Sequence, residues 1–77
     1  MPAHIQIKLF ATLKEFMPNS AENYAIKPGT TIHALIQQLG LPENQVKLIF
    51  INGVKAERTT VLKGGERIGI FPPVGGG

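Results

Sequence analysis

Between Thr30 and Pro42 the chain carries its clearest helical signature, and that signature constrains everything around it. Ile32, Leu35, Ile36 and Leu39 recur at i, i+3, i+4 and i+7, which turns one apolar stripe to a single side. Thr31 stands where an N-cap side chain would accept a first-turn N–H. Gly40 supplies the residue needed for a left-handed C′ position, Leu41 can fold back as its hydrophobic contact, and Pro42 prevents continuation. A helix this short gains its stability from packing, so in a chain of 77 residues another element must present a matching apolar face.

The flanking segments read as strands that can present it. His4 to Phe10 alternates with period two: Ile5, Ile7 and Leu9 share one face, while His4, Gln6, Lys8 and Phe10 share the other. Ala11 to Met17 contains helix formers with Leu13, Phe16 and Met17 at i, i+3, i+4, and Pro18-Asn19 stops it after one or two turns. Glu22 to Lys27 reads as a second short strand, with Tyr24 and Ile26 on one face, and Pro28-Gly29 as a turn. Val46 to Ile51 is a third strand, apolar on nearly both faces. Asn52-Gly53 is a tight-turn signal leading into a short strand around Val54 to Ala56. Lys63-Gly64-Gly65-Glu66 is a further turn before a last strand, Arg67 to Phe71, with Ile68 and Ile70 on one side and Arg67, Gly69 and Phe71 on the other. The order is strand, strand, helix, strand, short strand, strand. It predicts a compact α+β domain: a hairpin, a crossover helix, and a sheet of four to five strands covered by that helix on one face.

Composition removes several functional classes. Cysteine is absent, which excludes disulfides, thiolate metal sites and a thiol nucleophile. His4 and His33 have no acidic or histidine companion at ligand spacing, so no metal site is expected. Eight Lys/Arg against five Asp/Glu give a net charge of +3, scattered along the chain without an RNA-binding signature, and no nucleic-acid partner is expected. The apolar runs are far too short to span a bilayer, and Met1-Pro2-Ala3-His4 does not open a secretory signal. A cytoplasmic protein with no membrane contact is the expectation. No nucleophile–base pair, phosphate loop or paired carboxylates is present.

The remaining feature is the end of the sequence, Pro72-Pro73-Val74-Gly75-Gly76-Gly77, directly after the last strand. The prolines fix φ near −65° and bias the path towards an extended one. The glycines leave a backbone without side chains, able to enter a channel too narrow for a Cβ. Residues 1–71 are therefore read as the folded domain and 72–77 as a flexible, reactive tail.

Leu9-Phe10-Ala11-Thr12-Leu13-Lys14-Glu15, the helix opened by Thr31-Ile32, Asn52-Gly53, and above all Phe71-Pro72-Pro73-Val74 with the glycines after it resemble one family. It is the ubiquitin-like β-grasp sulfur carriers, the MoaD/ThiS family, and the likeness covers the whole chain. The Phe-Pro-Pro-Val ending and the first motif look like the molybdopterin synthase small subunit branch, and Val-Gly-Gly-Gly also occurs in the thiazole-synthesis branch. The resemblance implies that this chain is a cosubstrate and not an enzyme, a sulfur carrier or the small subunit of a molybdopterin synthase complex. An E1-like partner would use ATP to adenylate the Gly77 carboxylate, a sulfur donor protein would convert it to a thiocarboxylate, and a larger synthase subunit or other acceptor would take the sulfur. No cofactor would be bound by the chain itself. Gly75 and Gly76 would thread the tail with Val74, while Pro72 and Pro73 would limit its freedom.

The strand alternation adds a docking surface. Phe10 and Phe71 lie on the outward side of strands that should be neighbours, and Phe50, with Leu48, joins them if Ile49 and Ile51 face the helix. Sulfur delivery to molybdopterin or tungstopterin is the leading expectation. The alternatives are a carrier for thiamine thiazole synthesis, a protein modifier conjugated through Gly77, or an interaction module whose tail is inert.

Overall fold

The structure, a computed structural model, describes residues 3–73. Five strands, β1 (Ala3–Leu9), β2 (Tyr24–Ile26), β3 (Leu48–Ile51), β4 (Val54–Ala56) and β5 (Arg67–Phe71), form one mixed sheet in the order β2-β1-β5-β3-β4. The β1–β5 pair is parallel and the other three pairs are antiparallel. The last strand thus lies at the centre of the sheet, bonded on both sides. Helix α1 (Ile32–Leu39) joins β2 to β3, and short 3₁₀ turns cover Ala11–Phe16, Ala21–Asn23 and Glu43–Gln45.

One apolar cluster holds these elements together. From the sheet it takes Ile5, Ile7, Leu9, Ile26, Ile49, Ile68 and Ile70; from the helix it takes Ile32, Leu35 and Ile36. The expected alternation is therefore realised in β1 and β5, and the helix stripe meets the inward face of the sheet. Leu39 is only partly buried, at the rim of that cluster. Leu13 is fully buried, as the spacing of the first helical segment predicts, whereas Met17 is exposed. Met17 falls outside the 3₁₀ turn, and its extended backbone takes the side chain off the stripe.

The ends of α1 follow the sequence. Thr31 Oγ1 accepts from Ala34 N at 3.1 Å, and Gly40 adopts φ 74°, closing the helix before Leu41, which is buried. The two N–H groups that the cap leaves over are taken by the segment after β4: Ile32 N donates to Thr60 O at 3.0 Å and His33 N to Arg58 O at 2.9 Å. The same segment buries Leu62 completely. At the β3–β4 turn, Asn52 and Gly53 take φ of 53° and 81°, the paired left-handed geometry of a tight hairpin turn. Asn52 also ties this turn to β5, its Oδ1 accepting from Arg67 N at 3.0 Å and its N donating to Arg67 O at 2.9 Å.

Candidate functional site

The inward face is consumed by the core, so the outward face of the sheet is the surface available for chemistry or docking. Strand alternation places His4, Gln6 and Lys8 of β1, Arg67, Gly69 and Phe71 of β5, Leu48 and Phe50 of β3, and Lys55 of β4 on it. Phe10 follows β1 directly and donates its N–H to Ile70 O at 3.2 Å, which keeps it in line with β5.

The three predicted phenylalanines converge there. The Phe10 and Phe71 rings stack with centroids 4.1 Å apart and an interplanar angle of 2°. Phe50 meets Phe71 edge-on, at 5.6 Å and 80°. All three are half-buried. Together with Gln6, Lys8, Arg67 and Gly69 they border an open hollow of about 340 Å³.

Gly69 is the residue that sequence reasoning placed on this face without assigning it a part. It pairs with Lys8 on one side and Phe50 on the other, in the middle of the central strand. A Cβ there would stand 3.6 Å from Phe10 Cε2 and 3.8 Å from Phe71 Cε1. The floor of the hollow at Gly69 is therefore bare backbone, with the Phe10 and Phe71 rings beside it. A glycine inside a strand costs roughly 0.5–1 kcal/mol relative to alanine and often marks a place where another group approaches the backbone. That was the available signal.

The tail begins at the rim of this hollow. Phe71 O accepts from Lys47 N at 2.8 Å, the last backbone bond that β5 makes among the described residues. Pro72 is half-buried and Pro73 exposed, and both border a second depression with Thr12, Glu15, Phe16 and Gln45. Val74, Gly75, Gly76 and Gly77 lie outside the described residues, so most of the expected tail over 72–77 does too.

Away from this face, folding gives His33 an acidic neighbour. Its Nδ1 stands 3.4 Å from Glu43 Oε1, a proximity created by folding and invisible in sequence spacing. The same oxygen lies 3.4 Å from Arg58 Nη1, while Arg58 Nη2 donates to Glu43 O at 3.1 Å and Val46 O at 3.0 Å. The group is a clamp that fastens the 3₁₀ turn after α1 to the segment after β4. Among the described residues, no three His, Cys, Asp or Glu side chains gather as a metal site, and no helix is long and apolar enough to cross a membrane.

Near the start of β5, the Glu66 carboxylate closes its own turn, accepting from Lys63 N at 2.8 Å and Gly64 N at 2.7 Å. Burial alone would raise its pKa. The amide donors of Lys63, Gly64 and Glu66 itself, with the Lys63 charge, outweigh burial and hold it below the ordinary glutamate value.

A five-stranded mixed sheet with its last strand central and one helix across a single face defines a ubiquitin-like β-grasp protein. The chain belongs to the ThiS family, whose profile matches residues 7–77. This family comprises small ubiquitin-like carrier proteins, not catalysts. Solved structures share the architecture. The HVO 2177 protein of Haloferax volcanii is 20% identical, with a TM-score of 0.76 over 99% of this chain and 88% of that one. Small archaeal modifier protein 1 of Haloferax volcanii is 21% identical, with a TM-score of 0.68 over 94% of this chain and 99% of that one. A Pyrococcus furiosus protein described as molybdopterin converting factor subunit 1 is 22% identical, with a TM-score of 0.66 over 94% and 99%. At these identities the likeness establishes the fold. A comparison with curated proteins gave no match.

Proposed function

We propose that this chain is a sulfur carrier whose Gly77 carboxylate is adenylated by an E1-like enzyme and then converted to a thiocarboxylate. Attack on a free carboxylate is slow because its leaving group would be an oxide; the acyl adenylate replaces it with AMP. Sulfide displaces AMP directly and leaves the thiocarboxylate; a donor persulfide displaces AMP as an acyl disulfide, whose S–S bond a second thiol then cleaves, leaving one sulfur on Gly77 and a disulfide on the donor side. The observation that carries the reading is the family match, which runs through residue 77 and so takes in Gly75, Gly76 and Gly77. The fold supports it: β5 leads the chain out of the sheet at Phe71, where Pro72 and Pro73 offer no N–H to prolong the ladder.

The proposed acceptor is the larger subunit of a molybdopterin- or tungstopterin-type synthase, on the strength of the Phe71-Pro72-Pro73-Val74 sequence. A thiazole-forming enzyme is the alternative acceptor. A second class, conjugation of Gly77 to lysine, draws on the structural likeness to small archaeal modifier protein 1. Incubation with ATP, the cognate activating enzyme and a sulfur donor, followed by intact-mass analysis, tests the carrier reading. The expected product is the full chain with one oxygen replaced by sulfur at Gly77. A chain that stays unchanged while forming thiol-resistant conjugates would overturn it in favour of the modifier.

A further inference from the structure

We propose that the hollow over Gly69 is a socket for one apolar side chain of a partner protein, and that carboxylates flanking this side chain meet Lys8, Lys55 and Arg67. The inference deepens the carrier reading, and it rests on that reading for the choice of partner: the activating enzyme, which must handle the tail first.

The shape of the hollow comes from a missing side chain. Lys8 and Phe50 flank Gly69 on the neighbouring strands, and Phe10 and Phe71 wall it with Cε2 and Cε1. With backbone as its floor, the open hollow of about 340 Å³ has room for one inserted side chain. Its walls decide which group. The Phe10 and Phe71 rings cover one another at 2° and 4.1 Å, and Phe50 and Phe71 meet in a T-shaped arrangement. A lining that includes three phenylalanines with Ile68 and Gly69 suits an aliphatic or aromatic knob, and rings already stacked on one another offer less open face to nucleotide bases.

Charge gives the rest of the partner's chemistry. The chain has five acidic residues, Glu15, Glu22, Glu43, Glu57 and Glu66, and none occupies an outward position of a strand. Lys8 and Arg67 border the hollow, and Lys55 stands opposite Phe50. Among the described residues, no carboxylate lies within salt-bridge distance of these three cations. An apolar centre flanked by cations that have no carboxylate partner among the described residues is complementary to an apolar knob flanked by carboxylates, which would steer association and fix register.

The test is direct binding of the full-length chain to its activating enzyme without ATP, run beside adenylation kinetics. Gly69→Leu fills the socket and should weaken binding about tenfold or more, raising KM and leaving kcat nearly unchanged. Gly69→Ala adds only a Cβ at ordinary contact distances, so its melting temperature should match or exceed the native value while its affinity falls. The Lys8→Glu/Arg67→Glu variant should bind about tenfold more weakly and lose most of the salt dependence. If Gly69→Leu misfolds, the alanine and charge variants carry the decision. Native affinity in those variants, no binding by the native chain, or displacement of the enzyme by a single-stranded RNA oligonucleotide bound on this face would each overturn the proposal. Socket-dependent binding without any adenylation of Gly77 would leave the socket standing and remove the carrier reading.

Discussion

Removing the Phe71 ring should cost stability as well as binding, and the aromatic geometry sets how much. Half-burial of a phenylalanine is worth about 1 kcal/mol, roughly half the lower range for complete burial. Phe71 also makes two ring contacts, one stacked on Phe10 and one edge-on with Phe50. Such pairs contribute about 0.5–1.5 kcal/mol each beyond their area. Phe71→Ala should therefore destabilise by about 2–4 kcal/mol, and Phe10→Ala, which loses the stacked contact alone, by about 1.5–2.5 kcal/mol. Because the stacked contact can be lost only once, the double variant should fall short of the sum by about 1 kcal/mol. A chain of this size has roughly 4–12 kcal/mol of stability, so the single variants should remain folded. Urea titration measures all four proteins, and a constant slope would show that the denatured states are comparable. Strict additivity, within about 0.3 kcal/mol, would mean that the rings do not touch in solution. The walls assigned to the Gly69 hollow would then be wrong.

Two further perturbations probe the frame that holds this face. Arg58→Ala should cost about 1–2 kcal/mol in urea unfolding, since one guanidinium serves the Glu43 and Val46 carbonyls together. Arg58→Lys should recover less than half, because an ammonium lacks the fork that reaches both oxygens; full recovery would refute the clamp. Glu66→Gln should cost about 1 kcal/mol at neutral pH, a value kept small because the carboxylate is partly exposed. A carboxylate with a depressed folded-state pKa stabilises fully above its unfolded value, about 4.3, and that contribution is lost as pH falls through the lower folded value. The native protein and the Glu66→Gln variant should accordingly converge as pH falls through that lower folded value, and a difference independent of pH would rule out the charge as its source.

What could be read from the sequence was whatever is written in local periodicity. The alternation of Ile5, Ile7 and Leu9, the stripe and caps of α1, and the Asn52-Gly53 turn each depend on neighbours in the chain, and each is found as expected. The convergence of Phe10, Phe50 and Phe71 needed one further step, the inference that their strands are adjacent, and the sheet order supplies it. The segment after β4 was opaque. Leu62 enters the core, and the Arg58 and Thr60 carbonyls complete the helix start, without any periodic pattern to announce it. Long-range pairing also hid the Glu43 neighbour of His33, and it set Gly69 opposite Phe50 and Lys8 where its missing side chain matters. Residues in irregular backbone acquire their roles from distant partners, and one chain read by itself contains no record of those partners.

The position of β5 links the socket to the tail. A strand at the edge of a sheet could fray, but β5 is bonded to β1 and to β3 along its length, and its final carbonyl is held by Lys47 N. Phe71 is thus the last residue of the most constrained strand, a wall of the hollow, and the residue from which Pro72 departs. Pro72 and Pro73 cannot donate to a neighbouring strand, so pairing stops where the aromatic face does. Six residues, 72–77, separate this wall from the end of Gly77. Fully extended, at about 3.3–3.6 Å per residue, they reach roughly 20 Å. Under the carrier reading, an enzyme that seats a side chain over Gly69 must therefore open its reacting site within about 20 Å of that seat. Lengthening the tail by inserted glycines should leave binding at the socket intact while slowing adenylation, because the added residues dilute the carboxylate at the site without changing the grip on the domain. Equal adenylation rates for long and native tails would show instead that the enzyme captures the terminus independently of the sheet face.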